Sequence, residues 1–269
     1  MIEICWSGLD APYLDDPDVR QDAHITVGRF GGNTAAGQYK NEDGCLVWAD
    51  ENREWEFALI LDAHESAESA DLVLQHIQSK KRDILDILLL PAHTAIPGVE
   101  KFILSVLASE EFRLECSKVK GETACLFAFR KGQYLWWLSI GDCVLFLFHP
   151  ELAAMGQHQL NQRQFFEWTG RANVFDLPVH CYTTGRRELR AGLNTIFLTT
   201  DGLLECPGNP YEDPEKIMAA LKGPSDGQGV KEMLEDIKAR NVRDSTTIIS
   251  WEASSFHRPL MPGNLTSKG

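Results

Sequence analysis

The order of apolar runs predicts an α+β domain whose sheets are mainly antiparallel and whose helices group on the sheet faces. Two observations carry this. Short apolar runs follow one another in pairs joined by brief turns, with no regular helical crossover between them, and residues at helical spacing fall in separate blocks between those pairs.

Residues 1–40 read as a polar, acidic leading segment with glycines at Gly28, Gly31, Gly32 and Gly37. From Cys45 the text changes. CLVWA (45–49) and EFALILD (56–62), separated by the charged stretch ADENREW, predict strand, turn and strand. Ala70, Val73, Leu74 and Ile77 fall at i, i+3, i+4, i+7, the stripe of an amphipathic helix. Val99, Phe102, Ile103 and Val106 predict a second helix, starting just after Pro97-Gly98.

Strands return at TACLFAF (123–129), YLWWLSI (134–140) and CVLFLF (143–148). Residues 130–133, containing Gly132, predict a hairpin turn, and Gly141-Asp142 a turn or bulge. Residues 149–190 are mixed and polar, with one short helix expected near Leu160 to Trp168. TIFLTTDG (195–202) predicts a strand ending in Asp-Gly. Asp213-Pro214 predicts an N-cap and first helical position, with that helix ending at Gly223-Pro224. Val230, Met233, Leu234 and Ile237 predict another helix, and STTIISW (245–251) a last strand. The expected organisation is one domain over residues 1–253 and an irregular tail over 254–269, without internal repeats.

Composition narrows the function classes. The chain has 269 residues, 43% hydrophobic and 24% charged, enough for a sizeable core. Its formal net charge of −13 argues against a nucleic-acid partner. The 7 cysteines show no CxxC spacing, which argues against a structural zinc site. No run is long and apolar enough to span a bilayer, and the N-terminus lacks the basic-then-apolar order of a signal peptide. The expectation is a cytoplasmic protein without a membrane partner.

Several carboxylates occupy the ends of predicted strands. Asp62 closes FALIL, Asp201 closes TIFLTT, Glu42-Asp43 precede CLVWA, and Asp244 precedes STTIISW. Strand ends are rigid, so side chains there can converge at little entropic cost. Converging carboxylates repel unless a cation neutralises them, and hard oxygen donors select Mg²⁺ or Mn²⁺. Taken singly, Asp-Gly and Asp-Ser are ordinary turn dipeptides; only the joint pattern points to a site.

That joint pattern carries a resemblance. NED (41–43), LILDAHES (59–66), GETACLFAF (121–129), LSIGDCVLFLF (138–148), FLTTDGLLE (197–205) and RDSTTIISW (243–251) occur in the order of the motifs of the type 2C, metal-dependent serine/threonine phosphatases, from about Gly37 to Trp251. The resemblance implies a four-layer α-β-β-α sandwich. It implies a phosphomonoester hydrolase that acts on phosphoserine and phosphothreonine of proteins through a metal-activated water, as a signalling enzyme and a monomer.

Roles follow from the resemblance position by position. Asp62 matches the aspartate that bridges two ions, and Ala63 the residue that offers its carbonyl. Asp201 and Asp244 match the remaining aspartates of the first ion. Glu42 and Asp43 match the acidic pair of the second, and Asp142 a ligand, with Asp201, of a third, weaker ion. The implied cofactor is two or three ions of Mg²⁺ or Mn²⁺. His64 matches the proposed general acid for the leaving alkoxide.

The chain departs from the family pattern in three places. Gln38 stands where an arginine commonly grips the substrate phosphate, leaving Gln38 and Lys40 as the substrate-binding candidates, with Arg29 a further cation. DAHES replaces the glycine-rich DGHGG, so Ala63 sits where a positive φ comes less easily. Ser245 replaces an asparagine. These departures motivate an alternative, a non-catalytic phosphatase-like binding or regulatory module. A calcineurin-like metallophosphoesterase would account for Asp62-Ala63-His64 and Gly141-Asp142, but its later G-N-H motif and histidine ligands are missing.

Overall fold

The computed structural model describes residues 1–223 and 227–261. The chain lays down five strands: β1 (Ile2–Ser7), β2 (Asp18–Asp22), β3 (Ile25–Phe30), β4 (Gly44–Ala49) and β5 (Trp55–His64). Helices α1 (Glu68–Ser79), α2 (Lys81–Leu88), α3 (Ala92–Leu107) and α4 (Glu110–Cys116) follow. Next come β6 (Glu122–Lys131), β7 (Tyr134–Ile140), β8 (Val144–Phe148), α5 (Pro150–Ala153), β9 (Thr169–Gly170), β10 (Thr183–Glu188) and β11 (Gly192–Thr199). Helices α6 (Pro214–Ala220) and α7 (Gln228–Ala239) lead to β12 (Thr246–Ser255).

Two sheets result. One has seven strands in the order β1-β4-β5-β6-β7-β10, with β9 beside β6; the other has five, β2-β3-β12-β11-β8. Every pairing is antiparallel. Alternation along the strands builds three apolar layers. On β4 and β5, Cys45, Val47, Ala58 and Ile60 point between the sheets and meet Val27, Leu145 and Ile249 of the second sheet. Leu46, Trp48, Phe57 and Leu59 point the other way, under Val73, Ile77, Ile103 and Phe112 of α1, α3 and α4. Beyond the second sheet, Phe146, Phe197 and Ile248 pack under Ile217, Val230 and Leu234 of α6 and α7. The molecule is the expected four-layer α-β-β-α sandwich.

The differences from the sequence reading are local. The leading segment holds three strands; in β1, Ile2, Ile4 and Trp6 face the core while Glu3 and Cys5 face out, so its composition looks polar. Helix α3 begins at Ala92 rather than after Pro97, because Ala95 and Ile96 continue the buried face of Val99 and Ile103, and that packing outweighs the one bond proline removes. Helices α2 and α4 were absent from the reading. No helix forms near Leu160 to Trp168: Asn161 turns inward to bond the β7–β8 corner, and Phe166 takes φ 70. Strand β12 continues to Ser255, into the stretch expected to be irregular; residues 262–269, and the helix end expected at Pro224, lie outside the described residues.

The hairpin and cap expectations correspond to observed geometry. Lys131 pairs with Tyr134, leaving Gly132-Gln133 as a two-residue turn, and the Asp213 carboxylate accepts the Glu215 N–H at 3.0 Å ahead of Pro214. Gly141-Asp142 does more than turn the chain. It carries it from β7 in the first sheet to β8 in the second. Among the described residues, no helix is long and apolar enough to cross a membrane.

Candidate metal centre

Three carboxylates meet at one end of the sandwich. Ala58 and Ile60 point between the sheets, so by strand period Asp62 does too, two residues before β5 ends. Asp142 enters from the crossover between the sheets. The crossover needs Gly141, which has φ +90 and lies so close to β6 that a Cβ there would stand 2.5 Å from Cβ of Ala124. Asp201 lies two residues beyond the end of β11, and its N–H approaches Oδ2 of Asp62 at 3.5 Å. One oxygen from each of Asp62, Asp142 and Asp201 lies within 4.8 Å of the others, and all three residues are buried.

Further acids surround this core. Asp43, fully buried at 0% exposure, accepts hydroxyls from Thr200 at 3.0 Å and Thr247 at 2.8 Å through Oδ2. Asp244 stands exposed on the rim, and its Oδ1 accepts the Ser245 N–H at 2.9 Å. Glu42 is half-buried and pairs with Lys40 Nζ at 2.8 Å. Glu205, not singled out from the sequence, faces the same edge.

Desolvation, then mutual repulsion, raises these carboxyls. Asp62 is pushed well above the ordinary 3.8 by burial and by Asp201, Asp43, Asp244 and Asp142. Asp201 is pushed up to about 7 by burial and by Asp244, Asp142 and Glu205. Asp43 is raised by burial against its hydroxyl bonds, and Asp142 by burial against Arg163. Oδ1 of Asp43, of Asp142 and of Asp201 is buried without a hydrogen-bond partner. Buried oxygens left unpaired beside like charges are costly unless a cation takes them up, and all are hard donors. The residues therefore fit a divalent cation such as Mg²⁺ or Mn²⁺ on their own chemistry.

A groove of about 500 Å³ opens on this end, lined by Gln38, Lys40, Glu42, His64, Glu205 and Asp244 among others. His64 ends β5, half-buried, with its ring edge-on to Trp168 at 6.1 Å. Lys40 is tied to the Glu65 carbonyl at 2.6 Å as well as to Glu42. Gln38 is folded back, its Oε1 accepting the Tyr39 N–H at 3.2 Å. Ala63 keeps strand conformation, paired with Thr123, its side chain under the helices; the positive φ of this turn falls on Glu65 at 72. Gly121, whose Cβ would lie 1.9 Å from the His64 carbonyl, lets the two chains approach there. Arg29 is remote from the groove's chemistry: it is buried, paired with Asp18, and stacked on Trp6 and Tyr13 at 5.3 and 4.8 Å.

Arg163 was not anticipated. Its guanidinium reaches Glu205 at 2.5 Å, Asp201 at 3.3 Å and Asp142 at 3.9 Å. It lies in LNQRQFFEWTG (160–170) of the polar stretch after β8, the most distinctive part of that stretch, where no cation was named. The partners Thr200 and Thr247 were not named either, although they lie within FLTTDGLLE (197–205) and RDSTTIISW (243–251).

No protein-family model and no curated protein matches the sequence. Among solved structures, the chain is similar to a bacterial serine phosphatase bearing a point mutation, with TM-score 0.66 and 13% identity over 87% of this chain and 99% of that one. It is similar to the catalytic domain of the serine/threonine phosphatase PstP in complex with two manganese ions, with TM-score 0.57 and 16% identity over 88% and 98%. It is also similar to RsbX in complex with magnesium, with TM-score 0.54 and 16% identity over 88% and 100%. At these identities the likeness is one of fold, and it extends over nearly the whole of each of those chains.

Proposed function

We propose that this chain, which carries the fold of the bacterial serine/threonine phosphatases, is a member of the type 2C family. On this reading it hydrolyses phosphoserine and phosphothreonine esters of proteins in a reaction that depends on Mg²⁺ or Mn²⁺. The observation that supports this most is the meeting of Asp62, Asp142 and Asp201, buried, from two sheets and the crossover between them, with unpaired oxygens on Asp142 and Asp201.

Asp62, Asp201 and Asp244 would hold the ions, with Glu42, Asp43 and the Ala63 carbonyl completing the set, and Asp142, the candidate ligand of a further ion, stands beside Asp201. Divalent ions held there lower the pKa of water toward neutrality and offset charge on the phosphoryl oxygens. The chain's own groups do the rest. The groove admits the ester beside His64, which donates a proton to the departing serine or threonine oxygen. Lys40 supplies positive charge on the groove wall, and Gln38 stands next to it as a neutral donor. Trp168 against His64 restricts the ring's orientation. A phosphoprotein substrate and a place in signalling rest on this same reading.

Hydrolysis of p-nitrophenyl phosphate and of a phosphothreonine peptide, with Mn²⁺ and with EDTA, tests it. Turnover is expected only with metal, and D62N and D201N are each expected to lose more than the ~100-fold that changing an outer-shell partner costs. Wild-type rates in either variant would refute the assignment. The folded-back Gln38 favours a second reading, a binding or regulatory module. Mn²⁺ uptake that requires Asp62, with no turnover of either substrate, would select it.

A further inference from the structure

Arg163 reaches the acidic cluster from a loop that the fold holds in place. Two residues earlier, the buried Asn161 donates to Ser139 Oγ at 3.0 Å and the Cys143 carbonyl at 2.8 Å, and accepts the Leu145 N–H at 2.8 Å. One residue later, the Gln164 N–H donates to the Gly141 carbonyl at 2.9 Å. Both anchors grip the same corner, residues 139–145, that carries Asp142. The loop and Asp142 are therefore a single unit, and Arg163 has little freedom to leave it. The guanidinium carbon lies 4.8 Å from the centre of the Phe165 ring, a cation–π contact that further restricts it.

The guanidinium meets Asp142, Asp201 and Glu205 together. These acids form the more accessible edge of the cluster, whereas Asp43 is fully buried and its Oδ2 is already held by Thr200 and Thr247. A guanidinium is permanently charged and less strongly hydrated than an ammonium, so it serves well as a counter-cation at a partly buried acidic edge. A divalent ion bound to Asp142 and Asp201 on that edge would have to displace it, or sit against its positive charge.

We infer that Arg163 is the resident counter-cation of the Asp142–Asp201–Glu205 edge, a positioning residue that keeps a further divalent ion out. The inference rests on the metal-dependent reading above. Arg163 thereby sets how many ions the centre holds and leaves Asp62 and the inner oxygens to the ions that remain.

Equilibrium dialysis against Mn²⁺, with bound metal counted by atomic emission, tests this on the full chain. R163A and R163Q are each expected to take up one more Mn²⁺ per chain than the wild type at the same free concentration. Adding D142N to either variant is expected to remove that extra ion. R163Q keeps most of the side chain's volume and decides the matter if R163A does not fold. An uptake in R163A and R163Q equal to that of the wild type overturns the inference alone. No Mn²⁺ uptake by the wild type or the variants overturns the metal-dependent reading along with it.

Discussion

The carboxylate of Asp43, just before β4, accepts the Thr247 hydroxyl of β12 at 2.8 Å, a bond that joins the two sheets beside the metal centre. Thr200 adds a second hydroxyl at 3.0 Å and itself accepts the Thr247 N–H at 2.9 Å. Asp43 is completely buried and its Oδ1 has no partner, so these hydroxyls satisfy the only oxygen of the pair that is satisfied. Thr247→Val keeps the shape and removes one donor. It is expected to cost about 1–3 kcal/mol in chemical denaturation with EDTA present. Unchanged stability would show that the bond contributes nothing to joining the sheets.

The raised carboxyls make stability depend on pH in a defined direction. Burial first, and repulsion second, lift Asp201 from 3.8 to about 7 and drive Asp62 the same way. Between these values the metal-free fold retains protons that the unfolded chain has released, so its stability falls as pH rises through that window. A divalent cation must displace the same protons, so its stabilising effect grows as pH rises. Melting temperatures from about pH 5 to 8 should fall in EDTA, and the gap between Mn²⁺ and EDTA curves should widen. A gap that stays constant or narrows would contradict proton displacement at this cluster.

The sandwich was legible because both of its grammars are local. Short apolar runs marked β4 to β7, which are buried on both faces, and helical spacing marked α1, α3 and α7. What escaped was decided by distant partners. Strand β2 carries polar residues because it is an edge, and its neighbour β3 finds its other partner, β12, more than 200 residues away. The centre divides the same way. Asp62 and Asp201 could be named because they close apolar runs, whereas Asp142 was reached only through the order of the motifs. Arg163 has no local signature, since its role depends on Asn161 and Gln164 holding its loop against a corner some 20 residues earlier. Arg29 shows the converse: a cation in an informative place whose partner, Asp18, removes it from solvent.

Gln38 offers a direct test of phosphate grip. It lines the groove with Lys40 and His64, and its oxygen is turned onto its own neighbour's N–H rather than toward the groove. Gln38→Arg introduces a planar, charged donor at that wall. One charge-assisted hydrogen bond to phosphate is worth roughly 1.5 kcal/mol or more, so KM for p-nitrophenyl phosphate should fall about tenfold. The change is expected in KM rather than kcat, because the bond forms with ground state and transition state alike. An unchanged or raised KM would mean that this position does not face the bound ester.

The opposite end of the sandwich is tied by a charge instead of a hydroxyl. Glu56 lies on the same face of β5 as Asp62, six residues earlier, roughly 20 Å along the strand. Its carboxylate takes Arg130 of β6 through Nε at 2.6 Å and Nη2 at 2.5 Å, and His24, just before β3, at 2.8 Å. The side chains of His24, Glu56 and Arg130 are 1%, 0% and 5% exposed, so none can fall back on water. Arg130 also donates to the Arg53 carbonyl at 2.8 Å and the Glu54 carbonyl at 3.1 Å, which fixes it in place if its partner is lost. Glu56→Gln therefore strands a buried guanidinium, at a cost of roughly 3–5 kcal/mol. Chemical denaturation should register that loss, while Mn²⁺ uptake by the folded variant stays at the wild-type level, because the ion ligands lie at the far end. A loss below about 1 kcal/mol would mean that the carbonyl oxygens and the substituted amide alone compensate the arginine.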